Sequence, residues 1–253
     1  MTTNLPTYNR HAVQPIECLK AGWALTKDRY WLFAGITTVG ILIASMVPMG
    51  ILMGPMMCGM YLVLFRHMRR QPIEFGMLFK GFDYFVESLV ATVLQFVPII
   101  VLLIPVYVAF FAGMMAFLRR HRNAGGNPPS PEEIMAMVSS SLVLAGIVML
   151  VMIVVGILFS FTYPLIVDRK LSAIQAIKLS IKAGLANFWG LLGLLLLNGV
   201  IGIGGVACCY IGAFLVMPIT FGGLATAYRQ VFELEGETAG SQPNPSSAAP
   251  AII

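Results

Sequence analysis

Charge is what this chain has least of. No charged side chain occurs between Ile134 and Val167, a run of 34 residues, or between Ala183 and Tyr228, a run of 46. Charged residues make up 11% of the 253, against about 25% in ordinary globular domains, and the mean hydropathy is +0.85. Such runs exclude an ordinary water-soluble domain, because about 20 apolar residues already cross a bilayer as a helix.

Histidine and cysteine are nearly as scarce. His11, His67 and His121 are scattered, and Cys18, Cys58, Cys208 and Cys209 show no C-x-x-C spacing, so neither supports a metal cluster. A bridge between the adjacent Cys208 and Cys209 would be strained, and the cysteines read as small apolar fillers. No G-x-S-x-G, H-E-x-x-H, Walker or Rossmann pattern stands in a supporting context. The expectation is a protein that is not an enzyme, with no cofactor and no metal. A cleavable leader is not expected either, since polar residues precede the first apolar run and no A-x-A site follows it.

The charge that is present is informative. The formal net charge is +5, but the basic residues sit at the ends of apolar runs, as anchors facing lipid headgroups do, which argues against nucleic acid as a partner. The island Asp168 to Lys182, DRKLSAIQAIKLSIK, lies between the two charge-free runs and marks one membrane face. Counting Lys and Arg then fixes the number of crossings. If Ser88 to Leu118, which contains Pro98 and Pro105, is one span, 13 basic residues fall on one side and 3 on the other. If it is two, the division is 11 against 5. The positive-inside rule favours the first, with both termini cytoplasmic.

The expected fold is therefore all-α: a six-span transmembrane helical bundle with three amphipathic interfacial helices on the cytoplasmic side. The spans are placed at about 30–47, 51–67, 88–118, 138–167, 185–204 and 211–229 within a membrane domain over 12–232, flanked by a flexible stretch 1–11 and a disordered tail 233–253. Interfacial helices are read at 12–29, 72–87 and 168–182 from apolar residues at three- and four-residue spacing. In the third, Ala173, Ala176 and Ser180 are expected to pack on protein while Ile174, Ile177 and Ile181 enter the lipid interface. Ser130 before Pro131, Glu132 and Glu133 signals a helix start. The helix from Pro131 is long enough to project beyond the outer surface.

A unit of one interfacial helix and two spans recurs at 12–67, 72–167 and 168–229. Pro55, Gly59, Phe65 and Arg66 have the spacing of Pro218, Gly222, Tyr228 and Arg229, P-x3-G-x5-aromatic-R. This points to an internal repeat: proline near the outer start of a span, glycine where a neighbour comes close, an aromatic and arginine at the inner interface. The stretch from Gly22 and Trp23 through Pro48, Gly50, Pro55, Gly59 and Arg66 to LFKGF at 78–82, with YPLIVDRKLSAIQAIKLS at 163–180, resembles uncharacterised bacterial integral membrane families related to the membrane domain of glycerophosphodiester phosphodiesterases. The resemblance implies a six-span fold and a bacterial inner membrane, and it brings no catalytic residue.

Inside the spans the strongest polar groups are Gln95 and Asn198, read first as hydrogen bonds between helices and second as contacts to a solute. Asp28, Asp83, Glu87 and Asp168 are read as solvated or lipid-facing ion pairs at the inner interface. Met46, Met49, Met53, Met56, Met57 and Met60 surround the first hairpin turn and could bind a soft metal, but methionine is also an adaptable packing residue. Two functions remain: a non-enzymatic scaffold or regulator, or a transporter of a small or amphipathic, lipid-like solute. Membrane lipids are the expected partners, with a protein partner or a second copy of the chain compatible with the same surface.

Overall fold

The structure is a computed structural model that describes residues 6–46, 50–123, 130–207 and 211–234. Every regular element among these residues is helical. In chain order they are α1 (Pro15–Lys27), α2 (Tyr30–Met46), α3 (Met53–Met68), a 3-10 helix (Phe75–Tyr84), α4 (Phe85–Asn123), α5 (Pro131–Phe159), α6 (Thr162–Arg169), α7 (Ala173–Ala186), α8 (Phe188–Ala207) and α9 (Ile211–Phe232).

Three helical stretches are long and apolar enough to cross a membrane: Phe75–Arg122, Pro131–Arg169 and Phe188–Ala207. Only 17% of the most apolar window of each is buried within the protein. Apolar surface on that scale is consistent with a membrane protein. Two of the remaining helices are too short to cross alone: α2 has 17 residues and α3 has 16, or roughly 25 Å each against a core of about 30 Å; α9 has 22. Between α1 and α2 the chain bends by 105°, so α1 lies across the bundle's end.

Local chemistry explains most boundaries. Pro15 opens α1, with Glu17 in its first turn and Lys27 in its last, each placed to suit the helix dipole. Ser130 and Glu133 form a reciprocal cap on α5: the Ser130 amide donates to Glu133 Oε2 at 2.9 Å, and the Glu133 amide donates to Ser130 Oγ at 3.3 Å. Pro98 and Pro105 are accommodated inside the single helix α4.

The long helix from Pro131 is broken between Phe159 and Thr162. Pro164 has no N–H for the Ser160 carbonyl, and α7 repairs the break: Ser180 Oγ accepts from the Phe161 amide at 3.1 Å and donates to the Leu158 carbonyl at 2.8 Å. The second helix expected at the interface is 3-10 rather than α over Phe75–Tyr84. Leu78 and Gly81 are its buried residues, while Phe75, Phe79 and Phe82 are exposed. Its i, i+3 register sets Leu78 and Gly81 in one column and Phe79 and Phe82 in the next, while Phe75 is exposed at its start.

The elements interlock in a ring. α1 packs most heavily on α9, the 3-10 helix on α3, and α7 on α5 and α6. Taken by the segments 12–67, 72–167 and 168–229, each lateral element lies on the closing helix of another segment. Glycines make this approach possible. A Cβ on Gly59 would stand 2.0 Å from the Leu78 carbonyl oxygen, one on Gly81 2.0 Å from that of Pro55, and one on Gly22 2.4 Å from the Gly223 nitrogen. In the third contact a Cβ on Gly184 would stand 2.6 Å from the Ile157 carbonyl oxygen.

Three expectations need correction here. Ile177 is buried, with Leu179, whereas Ile174 is 56% exposed, because α7 packs on α5 and α6 through a wider face than the small-residue strip. The stretch 1–11, expected flexible, is tied down from Asn9: the Asn9 amide donates to the Val231 carbonyl at 2.8 Å, and the Asn9 carbonyl accepts from Asn187 Nδ2 at 3.0 Å. Leu234, placed in the expected tail, is fully buried. Residues 1–5 and 235–253, Pro48, Met49, Cys208 and Cys209 lie outside the described residues.

Candidate functional site

The closing helices α3, α6 and α9 meet at one end of the bundle. Their aromatic rings form its core: Phe65 and Tyr228 have centroids 5.2 Å apart, and Phe161 lies 6.1 Å from Tyr228. Phe65 and Tyr228 are the aromatic positions of the two sequence motifs, so the fold brings the motif copies face to face.

Immediately beyond these rings is Asp168. Its side chain is fully buried. The Tyr228 hydroxyl donates to Asp168 Oδ2 at 2.8 Å, Arg69 Nη2 donates to Oδ1, and Arg169 Nε stands 3.3 Å from Oδ2. One carboxylate therefore joins α3, α6 and α9. The expectation of a solvated or lipid-facing pair is overturned for Asp168: the three helices converge on it and exclude solvent. Glu87 also has a defined structural role, accepting from the Ala173 amide at the start of α7 at 2.6 Å, where the helix dipole favours a negative charge.

Beside this junction opens a cavity of about 1010 Å³. Arg66, Arg69, Arg70, Lys170 and Arg229 line it, with Asp168 as the one acidic residue in its wall. Arg66 and Arg229 end the two motif copies, and they reach the same space. Leu62, Met68 and Val167 give one wall an apolar character, and Tyr84 adds a phenol.

Sequence reasoning did not bring Arg69, Arg70 and Lys170 into a site. One signal is visible in hindsight: α3 and α6 end without glycine. Arg70 has φ 56° and Lys170 φ 50°, in the left-handed region that helix ends usually fill with glycine.

The other candidates part company. Gln95 Oε1 accepts from the Tyr163 hydroxyl at 3.4 Å, and that hydroxyl also meets Thr92 Oγ1 at 3.0 Å, which makes Gln95 an interhelical bridge between α4 and α6. Asn198 is different. Its Oδ1 is buried with no hydrogen-bond partner among the described residues, and the residue lines an apolar groove of about 660 Å³ between α8 and α9 with Gly202, Met217 and Thr220. Pro55 stands in the first turn of α3, whereas Pro218 is well inside α9, which begins at Ile211. The two motif prolines are therefore not equivalent. Gly222 does sit where a neighbour comes close, a Cβ there standing 2.9 Å from the Gly22 carbonyl oxygen.

Of the methionines, Met56 and Met60 are buried in the core and Met46 is 79% exposed. Among the described residues no group of three His, Cys, Asp or Glu side chains is placed to hold a metal ion. Cys18 and Cys58 are free and buried; burial pushes the Cys18 thiol up to about 11, and its Sγ donates to Gln230 Oε1 at 3.1 Å.

Comparison with curated proteins finds no match, and comparison with solved structures finds none. The family finding carries no link to the membrane domains of phosphodiesterases or to bacteria. The model of a domain of unknown function, DUF7847, matches residues 76–251, well over half of the chain, and the protein belongs to that family.

Proposed function

We propose that the protein is a six-crossing membrane protein with both termini cytoplasmic, acting as a non-enzymatic scaffold or regulator in an inner membrane of the bacterial kind. The resemblance to bacterial families related to the phosphodiesterase membrane domain, and an internal repeat behind the two motif copies, belong to the same reading. The observation that carries it is the ring of lateral elements around α3, α6 and α9. Such a ring gives a rigid inner end, and the apolar α4–α5 pair extends from it as a surface for lipid or a partner. In this topology Arg66, Arg69, Arg70, Lys170 and Arg229 share the cytoplasmic face.

Labelling with an impermeant maleimide tests the topology, in a protein whose native cysteines are replaced. Ser130→Cys should react from outside intact cells, and Ser172→Cys only after permeabilisation. Reaction of both from the same side would exclude six crossings.

A second reading, handling of a lipid-like solute, is favoured by the groove at Asn198. A buried carbonyl without a donor costs about 1–3 kcal/mol, and an amphiphile carrying a hydroxyl or amide would satisfy it. Asn198→Leu should leave the melting temperature unchanged or higher and reduce quenching of groove tryptophan probes by brominated monoacylglycerol at least several-fold. Unchanged quenching in the variant would remove the groove from consideration.

A further inference from the structure

We propose that the basic cavity at the inner end of α3, α6 and α9 binds a phosphoryl group. Five cationic side chains and one carboxylate face this space, and the carboxylate is already engaged by Arg69, Arg169 and Tyr228. Arg66, Arg70 and Lys170 stand in no ion pair among the described residues, so their charge is not neutralised by the acidic residue in the wall. Like charges gathered around one space repel one another more strongly than they would in water. A dianion placed among several of them replaces these repulsions with attractions.

Two features show that the cations are placed at a cost. Arg70 and Lys170 both line the cavity and both adopt the left-handed backbone conformation, which is unfavourable for a non-glycine residue. The ends of α3 and α6 thus carry a cation where glycine would relieve strain. In addition, Arg69 Nε is buried and has no hydrogen-bond partner among the described residues, leaving a guanidinium donor available beside the cavity.

The chemistry selects phosphate over a generic anion. Four of the five cations are arginines, whose planar donor forks match phosphate oxygens in pairs. The Tyr84 phenol and Gln71 amide add neutral donors. The volume exceeds that of a bare phosphate, and the wall of Leu62, Met68 and Val167 suits an apolar or glycerol moiety attached to it. A phospholipid headgroup and a soluble phosphate monoester present this same chemistry.

The full chain in nanodiscs distinguishes the two sources. In phosphatidylcholine alone, inorganic phosphate and glycerol 3-phosphate are titrated while the melting temperature is followed. In a parallel arm, phosphatidic acid is incorporated and its retention is measured by native mass spectrometry. Binding in either arm should weaken about tenfold or more in Arg66→Gln, each charge-assisted contact accounting for about that factor.

The second variant, Arg70→Gly, carries the specific signature: the unliganded melting temperature stays level or rises as strain is relieved, while binding falls. Saturation by soluble phosphate locates the source in the aqueous phase, and retention of phosphatidic acid alone locates it in the membrane; both support the site. Absence of binding in both arms, or equal binding by the parent and the two variants, would overturn it.

Discussion

Gly81→Ala should prevent the protein from folding into its native bundle. The added Cβ would stand 2.0 Å from the Pro55 carbonyl oxygen and 2.5 Å from the Gly59 nitrogen, both rigid backbone atoms. Overpacking ordinarily costs about 1–3 kcal/mol when side chains can move aside; here a helix would have to move, so a loss of at least about 3 kcal/mol is expected. Gly59→Ala meets the Leu78 carbonyl oxygen at 2.0 Å from the other side of the same contact and should be as severe. Gly146→Ala is the control, since a Cβ there meets nothing within 4 Å; in a helix interior it should be neutral or stabilising by up to about 1 kcal/mol. Folded yield by size exclusion in detergent, with the melting temperature, separates them. If Gly81→Ala behaves like Gly146→Ala, the 3-10 helix does not lie on α3 as described.

That contact also shows what a sequence of this kind reveals. The limits of the helices were legible because their causes are local: Pro15 and Pro131 in first turns, the Ser130 and Glu133 cap, charge at the ends of uncharged runs. α4 had to be one helix through two prolines, a conclusion reached only from the basic residues far away on either side. The break before Thr162 had a visible agent in Pro164, but its repair depended on Ser180, which comes 16 residues later and is placed by the packing of α7. The motif Pro55 to Arg66 and its second copy were legible as spacing. That Phe65 and Tyr228 would stack near one another, and that Arg66 and Arg229 would share a cavity with Arg70 and Lys170, depends on how the closing helices converge. No residue spacing encodes that angle.

Asp168 was misread for the same reason. A carboxylate followed by Arg169 and Lys170 at the end of an apolar run has the local appearance of an exposed ion pair, and exposed pairs contribute little. Convergence of α3 and α9 on α6 changes the physics entirely.

Asp168→Ala should accordingly cost about 3–5 kcal/mol, the range for leaving a buried charge without its counter-ion. The loss falls unequally on its partners. Arg169 Nη2 also donates to the carbonyls of Phe232 at 3.0 Å and Glu233 at 2.8 Å, so it retains acceptors. Arg69, whose side chain is 29% exposed and whose Nε is already unpartnered, keeps no acceptor of comparable strength among the described contacts. Truncating both Asp168 and Arg69 should therefore destabilise less than the sum of the two single truncations, with a coupling of at least about 1 kcal/mol, because the double variant removes the stranded cation together with its partner. Tyr228→Phe removes one hydrogen bond to a charged acceptor and should cost about 1.5–3 kcal/mol. Denaturation in mixed micelles measures all four proteins. Strict additivity between Asp168→Ala and Arg69→Ala, or a cost for Asp168→Ala no greater than for an exposed pair, would mean that this carboxylate does not hold the three closing helices together.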